Sequence, residues 1–137
     1  MEKIAMHISD IEKWLKQLDE LKIKSIRDLN DIRNFHATSM LLFSIFNSAI
    51  SIGEEVVSIK RLGFPRSYKD IFKILKKENI IDKKLTESMF ELIKYRNLLA
   101  HEYWSFDEKD IWTALKLLDK VNLYTKKILV CIKPSKK

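Results

Sequence analysis

Arg96, Asn97, His101 and Tyr103 fall within the eight residues "RNLLAHEY", in a segment whose apolar spacing otherwise reads as helix. At about 100° per residue, Asn97 and His101 stand on one ridge of such a helix, and Arg96 and Tyr103 on another. These side chains suit cleavage of RNA by its own 2′-hydroxyl, a reaction that requires no metal. A histidine with an unperturbed pKa near ~6.5 takes the 2′-OH proton or protonates the leaving 5′ oxygen at neutral pH. A guanidinium binds the scissile phosphate as a fork and stabilises charge that grows in the transition state. Asn97, one turn before His101, is placed to orient the imidazole.

An ideal helix sets Arg96 and His101 about 140° apart, so one straight helix does not aim both at the same atom. Three arrangements remove the conflict. Arg96 reaches round on its long side chain, the helix loosens before Ser105, or residues of two copies meet across a dimer axis. A reading without chemistry also fits the spacing. Arg and His near a helix C-terminus complement the macrodipole and cap the last carbonyls, worth about 0.3–1 kcal/mol each. Tyr103 and Trp104 are then core or rim aromatics at a turn.

Other chemistries lack their parts. Gly53 and Gly63 are the only glycines, which excludes a Gly-rich phosphate loop and a GxSxG nucleophile turn. His7, His36 and His101 lie far apart, none with a helical HxxxH partner, and the single Cys131 does not complete a zinc site with them. No metal and no cofactor is therefore expected. His7 and His36 read as structural, and Cys131 as a small hydrophobe in a terminal helix.

The elements that must position the cluster are long and few. With two Gly and two Pro in 137 residues, 46% of them hydrophobic and 33% charged, the chain reads as one all-α domain over residues 1–137. Its expected architecture is an antiparallel bundle of about five helices. The first carries the stripe Ile4, Ile8, Ile11, Leu15 and Leu18, which must lie on a neighbouring helix or on a partner. Ser25 with Asp28 in "SIRD" predicts the cap of a long second helix whose apolar face runs from Phe35 to Ile59. Gly63 is expected at its C-cap, with Pro65 beyond. Ser67 and Asp70 in "SYKD" open a short third helix to about Lys77, and Asp82 in "NIID" caps the fourth, which runs into the cluster. Ser105 with Glu108 predicts the start of one last helix through Leu129.

The formal net charge of +7 is concentrated: "KKILVCIKPSKK", residues 126–137, holds five Lys and no acid. This basic tail is compatible with a polyanion such as RNA and equally with a solvated end. The most apolar run, "MLLFSIF", is far shorter than the roughly 20 residues that span a bilayer, and a lone Cys agrees with a reducing compartment. The expected location is the cytoplasm.

The order of these features resembles a known family. "RNLLAHEY", preceded by "SAISIGEEVV" and "LGFPRSYKDIFKILKKENII" and followed by a final helix, is similar to HEPN-domain proteins of the HepT type over about residues 35–130. The resemblance implies an all-α homodimer with a cleft at the two-fold interface that acts as a metal-independent endoribonuclease toxin of a two-gene, type VII-like toxin–antitoxin pair. Arg96 and His101 would be catalytic, with Asn97 the polar residue after the arginine. Tyr103 would be the tyrosine to which an MntA-type minimal nucleotidyltransferase antitoxin adds AMP. An alternative from another class shares the dimer and the partner: a non-catalytic helical subunit that binds a nucleotidyltransferase and presents nucleotide or substrate to it.

Overall fold

The structure is a computed structural model that describes residues 1–101 and 105–133, with His101 described by its backbone. Six α-helices make up the described fold: α1 (Glu2–Leu21), α2 (Ile32–Ile59), α3 (Tyr68–Lys77), α4 (Lys83–His101), α5 (Glu108–Leu115) and α6 (Leu118–Ile132). A short 3-10 helix, Ile26–Asn30, joins α1 to α2. The expected all-α antiparallel bundle is the observed one.

Helix α2 is the axis of the core. Leu42, Ile45, Phe46, Ala49, Ile52 and Val56 are buried along it, and α1, α3, α4, α5 and α6 all pack on it. By length and composition α2 would pass as a bilayer-crossing helix, which the run Met40–Phe46 alone would not. More than half of its most apolar window is buried inside the fold. The α1 stripe belongs to this core: Ile4, Ile8, Ile11 and Leu18 are buried and Leu15 packs against them. At about 1.5–3 kcal/mol per fully buried aliphatic side chain, that stripe is ample reason for α1 to lie on α2 rather than await a partner.

Two close contacts lock α3 and α6 to α2. The Tyr124 hydroxyl donates to the Ala49 carbonyl at 2.9 Å, and its ring meets Phe72 edge-on with centroids 5.7 Å apart. Burial pushes the Tyr124 phenol far above its ordinary range, with the neighbouring Cys131 adding to the shift. At Gly53, a β-carbon would come within 2.8 Å of both Ile71 Cγ2 and the Tyr124 hydroxyl. The glycine is there for approach, since only its missing side chain lets α3 and α6 close on α2 at this level.

Several helix ends match the expected chemistry. The Ser67 hydroxyl accepts from Asp70 N–H at 3.1 Å while Asp70 accepts from Arg66 N–H at 3.0 Å, and Asp82 accepts from Leu85 N–H at 2.8 Å. Others differ. Asp28 accepts from the N–H groups of Lys24 and Ser25, which hold its carboxyl below the usual range, but the helix this opens is the 3-10 segment. Helix α2 begins later, where Asp31 accepts from Arg33 and Asn34. At its other end the left-handed residue is Arg61 (φ 54°), with Arg61 N–H bonded to Ser58 O and Leu62 N–H to Val57 O. That is a Schellman closure with arginine where glycine is usual; Gly63 lies two residues beyond it.

The last helix is two. Asp107, not Ser105, caps α5, accepting from Lys109 and Asp110, whose own carboxylate accepts from Asp107 N–H. After Leu115 the bonding tightens, Lys116 N–H to Thr113 O and Leu117 N–H to Ala114 O, and α6 restarts at Leu118. Lys126 and Lys127, the first two lysines of the basic stretch, sit within α6 and not in a tail.

Candidate active site

Arg96 is the residue about which the site is organised. It lies on the last turns of α4, half-buried, and its Nε–H donates to the Asn47 side-chain oxygen on α2 at 2.7 Å. Nη1 donates to the Asn97 side-chain oxygen at 3.1 Å. The guanidinium carbon stands 5.5 Å from the centroid of Phe43 and 5.1 Å from that of Tyr68. Two amides thus hold the edge of the group and two rings flank it. A guanidinium stacked on aromatic faces keeps its charge while shedding part of its hydration.

Each support comes from a different element. Phe43 and Asn47 are four apart on α2, so they share one face. Tyr68 is the first residue of α3, opened by the Ser67 cap, and its ring meets Arg96 of α4. Asn97 follows Arg96 on α4 itself. Of the five guanidinium N–H groups, two have partners among the described residues, one on Nε and one on Nη1.

Arg96 and Asn97 also line an open pocket of about 550 Å³, with Ser67, Tyr68, Lys69 and Ile93 around it. The Lys69 ammonium stands 5.3 Å from the Phe90 ring centroid, which steadies it at the rim. Two cations and an exposed tyrosine among its lining residues make this pocket fit for a phosphate-bearing ligand.

His101 is the last residue of α4, five beyond Arg96; its side chain lies outside the described residues, as does Tyr103. Phe106 stacks on Phe35 with centroids 5.6 Å apart, and Asp107 caps α5. His36 is exposed with its ring edge-on to Phe35, and His7 is half-buried with Nδ1 unpartnered among the described residues. Cys131 is partly buried against the core, and burial raises its thiol pKa.

The structure sets the Asn97 side chain on Arg96, where the spacing had paired it with His101, and adds Asn47, Phe43 and Tyr68, which the sequence did not mark. Asn47 is 49 positions from Arg96. Only its place on the α2 face that includes Phe43 hinted at it, and that face reads as ordinary core.

Comparison with known proteins places the chain in a family. The family described as ribonuclease HepT-like matches residues 4–128. The chain is similar to the mRNA nuclease HepT of Shewanella oneidensis, 22% identical over 100 residues that span 73% of this chain and 75% of that protein. Among solved structures it is similar to a toxin–antitoxin chain crystallised with AMP-PNP, with TM-score 0.86, 18% identity and coverage of 95% of this chain and 99% of that one. It is similar too to the tri-AMPylated HEPN toxin of Shewanella oneidensis in complex with its MNT antitoxin, with TM-score 0.85, 18% identity and coverage of 95% and 98%. At that identity the structural likenesses speak for the fold.

Proposed function

The chain belongs to the HepT-like ribonuclease family, and from that premise we propose that it is a metal-independent endoribonuclease toxin whose site is completed when two copies pair. The observation that carries the proposal is the Arg96 guanidinium, held at its edge by Asn47 and Asn97 and flanked by Phe43 and Tyr68 at the rim of an open pocket. With Nε–H committed to Asn47 and one Nη1 N–H to Asn97, the second Nη1 N–H and those of Nη2 remain to meet one phosphate as a fork. A fork fixed before the substrate arrives needs no reorganisation as charge grows on the phosphate oxygens.

His101 supplies the proton transfers. Pairing of two copies about the α4 ends gathers two Arg96 and two His101 in one cleft, which removes the angular conflict within a single helix. One neutral imidazole takes the proton of the RNA 2′-hydroxyl as that oxygen bonds to phosphorus. A protonated imidazole gives its proton to the 5′ oxygen as the P–O5′ bond breaks. The products are a 2′,3′-cyclic phosphate and a free 5′-hydroxyl. Asn97 serves the arginine through its side-chain oxygen. The protein works as a single helical domain in the cytoplasm, where its substrate is.

The partner is an MntA-like minimal nucleotidyltransferase antitoxin, the kind of protein found with the AMPylated toxin of Shewanella oneidensis. The Tyr103 hydroxyl attacks the α-phosphorus of ATP, a phenolic P–O bond forms and pyrophosphate leaves. The added AMP sets an anionic phosphate and a nucleoside beside the Arg96 fork and excludes RNA.

The test is cleavage of a mixed RNA panel by unmodified wild type, Arg96→Ala and Arg96→Lys. Cleavage lost in both variants supports the fork, because an ammonium does not replace a bidentate guanidinium. Full cleavage by Arg96→Ala overturns the site. A folded wild type that cuts nothing yet binds nucleotide at the Arg96 pocket returns the protein to the nucleotide-presenting subunit.

A further inference from the structure

The Arg96 pocket does not end at Arg96. It shares Ser67 and Tyr68 with a second depression of about 170 Å³, which in turn shares Glu54 and Pro65 with a third of about 670 Å³ under Arg61 and Phe64. Through these shared residues the three succeed one another along the α2–α3 connection, a track that leads away from the guanidinium.

The side chains along this track alternate in kind. Lys69, Arg66 and Arg61 carry charge, while Tyr68 and Phe64 present rings. Phe64 is 97% exposed, so nearly all of a large apolar side chain is left in water. Neither Arg61 nor Arg66 has an ion pair or a side-chain hydrogen bond among the described residues. Of the residues lining the track, Glu54 alone is acidic, and its carboxylate suits a hydroxyl or amine donor rather than a phosphate.

We propose that this track binds single-stranded RNA running out of the Arg96 site, with bases stacked on Tyr68 and Phe64 and phosphates met by Lys69, Arg66 and Arg61. The inference rests on the ribonuclease reading and extends it to the substrate's class. Cations tracking a backbone and aromatic faces receiving bases are the two components of sequence-tolerant single-strand binding. A duplex keeps its bases stacked on one another and has none to offer such rings. Continuity with the Arg96 pocket favours the substrate over a protein partner as the occupant, and four cations, Arg96 included, against one acid complement a polyanion.

The experiment measures binding by fluorescence anisotropy. The probes are a 5′-labelled 12-nucleotide single-stranded RNA of mixed sequence and a duplex of equal length. The protein is the full-length His101→Ala variant, compared with the same protein carrying Phe64→Ala or Arg61→Ala with Arg66→Ala. Phe64 is so exposed that its removal disturbs no packing. The proposal expects Phe64→Ala to weaken single-strand binding on the order of 5- to 150-fold, the range for loss of one base stack. It expects the double arginine variant to lower the slope of log K against log salt by about 1.4, at roughly 0.7 per phosphate contact.

Unchanged single-strand affinity in Phe64→Ala, or no binding at all by the parent, overturns the track. So does a Phe64→Ala protein that binds RNA normally but loses its nucleotidyltransferase, which gives the surface to the protein partner. Cleavage by wild type in the same buffer separates the two readings: Phe64-dependent binding without cleavage leaves the track standing and removes the ribonuclease, while cleavage with Phe64-independent binding does the reverse.

Discussion

Asn47→Ala tests whether the guanidinium is held or merely present. The Asn47 oxygen accepts from Arg96 Nε at 2.7 Å in a half-buried setting, a short charge-assisted contact between α2 and α4. Hydrogen bonds to charged groups contribute about 1.5–3 kcal/mol. If that orientation is fully used in the transition state, its loss lowers kcat/KM on RNA by roughly 10- to 150-fold, at 1.4 kcal/mol per factor of ten. The fold should lose little, because the residue sits at the half-buried edge of α2 and not in its core. Asn47→Asp keeps the acceptor and adds a negative charge beside the phosphate site, so it should retain the wild-type Tm and cleave poorly. The assay is initial-rate cleavage of an end-labelled RNA, with thermal unfolding and dimer mass measured on the same preparations. Cleavage by Asn47→Ala within twofold of wild type refutes the reasoning, since Arg96 would then need no second helix to aim it.

The packing and the motif lead to three further outcomes. Gly53→Ala drives a methyl to 2.8 Å from Ile71 and Tyr124. Overpacking of about 1–3 kcal/mol outweighs the roughly 1 kcal/mol gained in helix propensity, so Tm should fall by roughly 4–8 °C in a calorimetric scan if the net loss is 1–2 kcal/mol; an unchanged or higher Tm would mean that α3 and α6 do not close on α2 there. Tyr124 is buried as the neutral phenol, with its folded pKa raised, so the native state keeps a proton that the unfolded chain loses above its ordinary value near 10. The stability tied to that proton is complete below pH ~10 and declines by up to about 1.4 kcal/mol per pH unit above it. Tyr124→Phe should flatten that decline in urea titrations between pH 9 and 11, and an equally steep decline would contradict the assignment. Tyr103→Phe should leave RNA cleavage intact and abolish AMP incorporation by the cognate nucleotidyltransferase; radiolabel entering the Phe variant would move the modification elsewhere.

What the sequence made legible was the local part of this architecture. The α1 stripe, the caps at Ser67 and Asp82 and the end of α2 before Pro65 each depend on residues within a few positions of one another, and each is where its spacing put it. The mistakes arose where two local solutions compete. "SFDEKD" holds two overlapping capping boxes, Ser105 with Glu108 and Asp107 with Asp110, and the chain uses the second. "SIRD" does start a helix, but a 3-10 turn ending at the better-placed cap Asp31. The break between α5 and α6 has neither Gly nor Pro to announce it, and Arg61 adopts a left-handed conformation that side chains other than Gly seldom take. At the site, Arg96 and Asn97 stood out as residue types in one short motif, but not their contact, since helical spacing pairs Asn97 with His101. Asn47, Phe43 and Tyr68 were not, because an amide and two rings are chemically ordinary until the fold sets them around a guanidinium.

The most direct test is to incubate end-labelled RNA in EDTA with the purified, unmodified dimer and with its His101→Ala variant, and to identify the new ends by mass. The account predicts that wild type cuts and leaves 2′,3′-cyclic phosphate and 5′-hydroxyl ends, while the variant leaves the RNA whole. A well-folded wild type that cuts no RNA in a broad panel, or a His101→Ala protein that cuts as well as wild type, would contradict it.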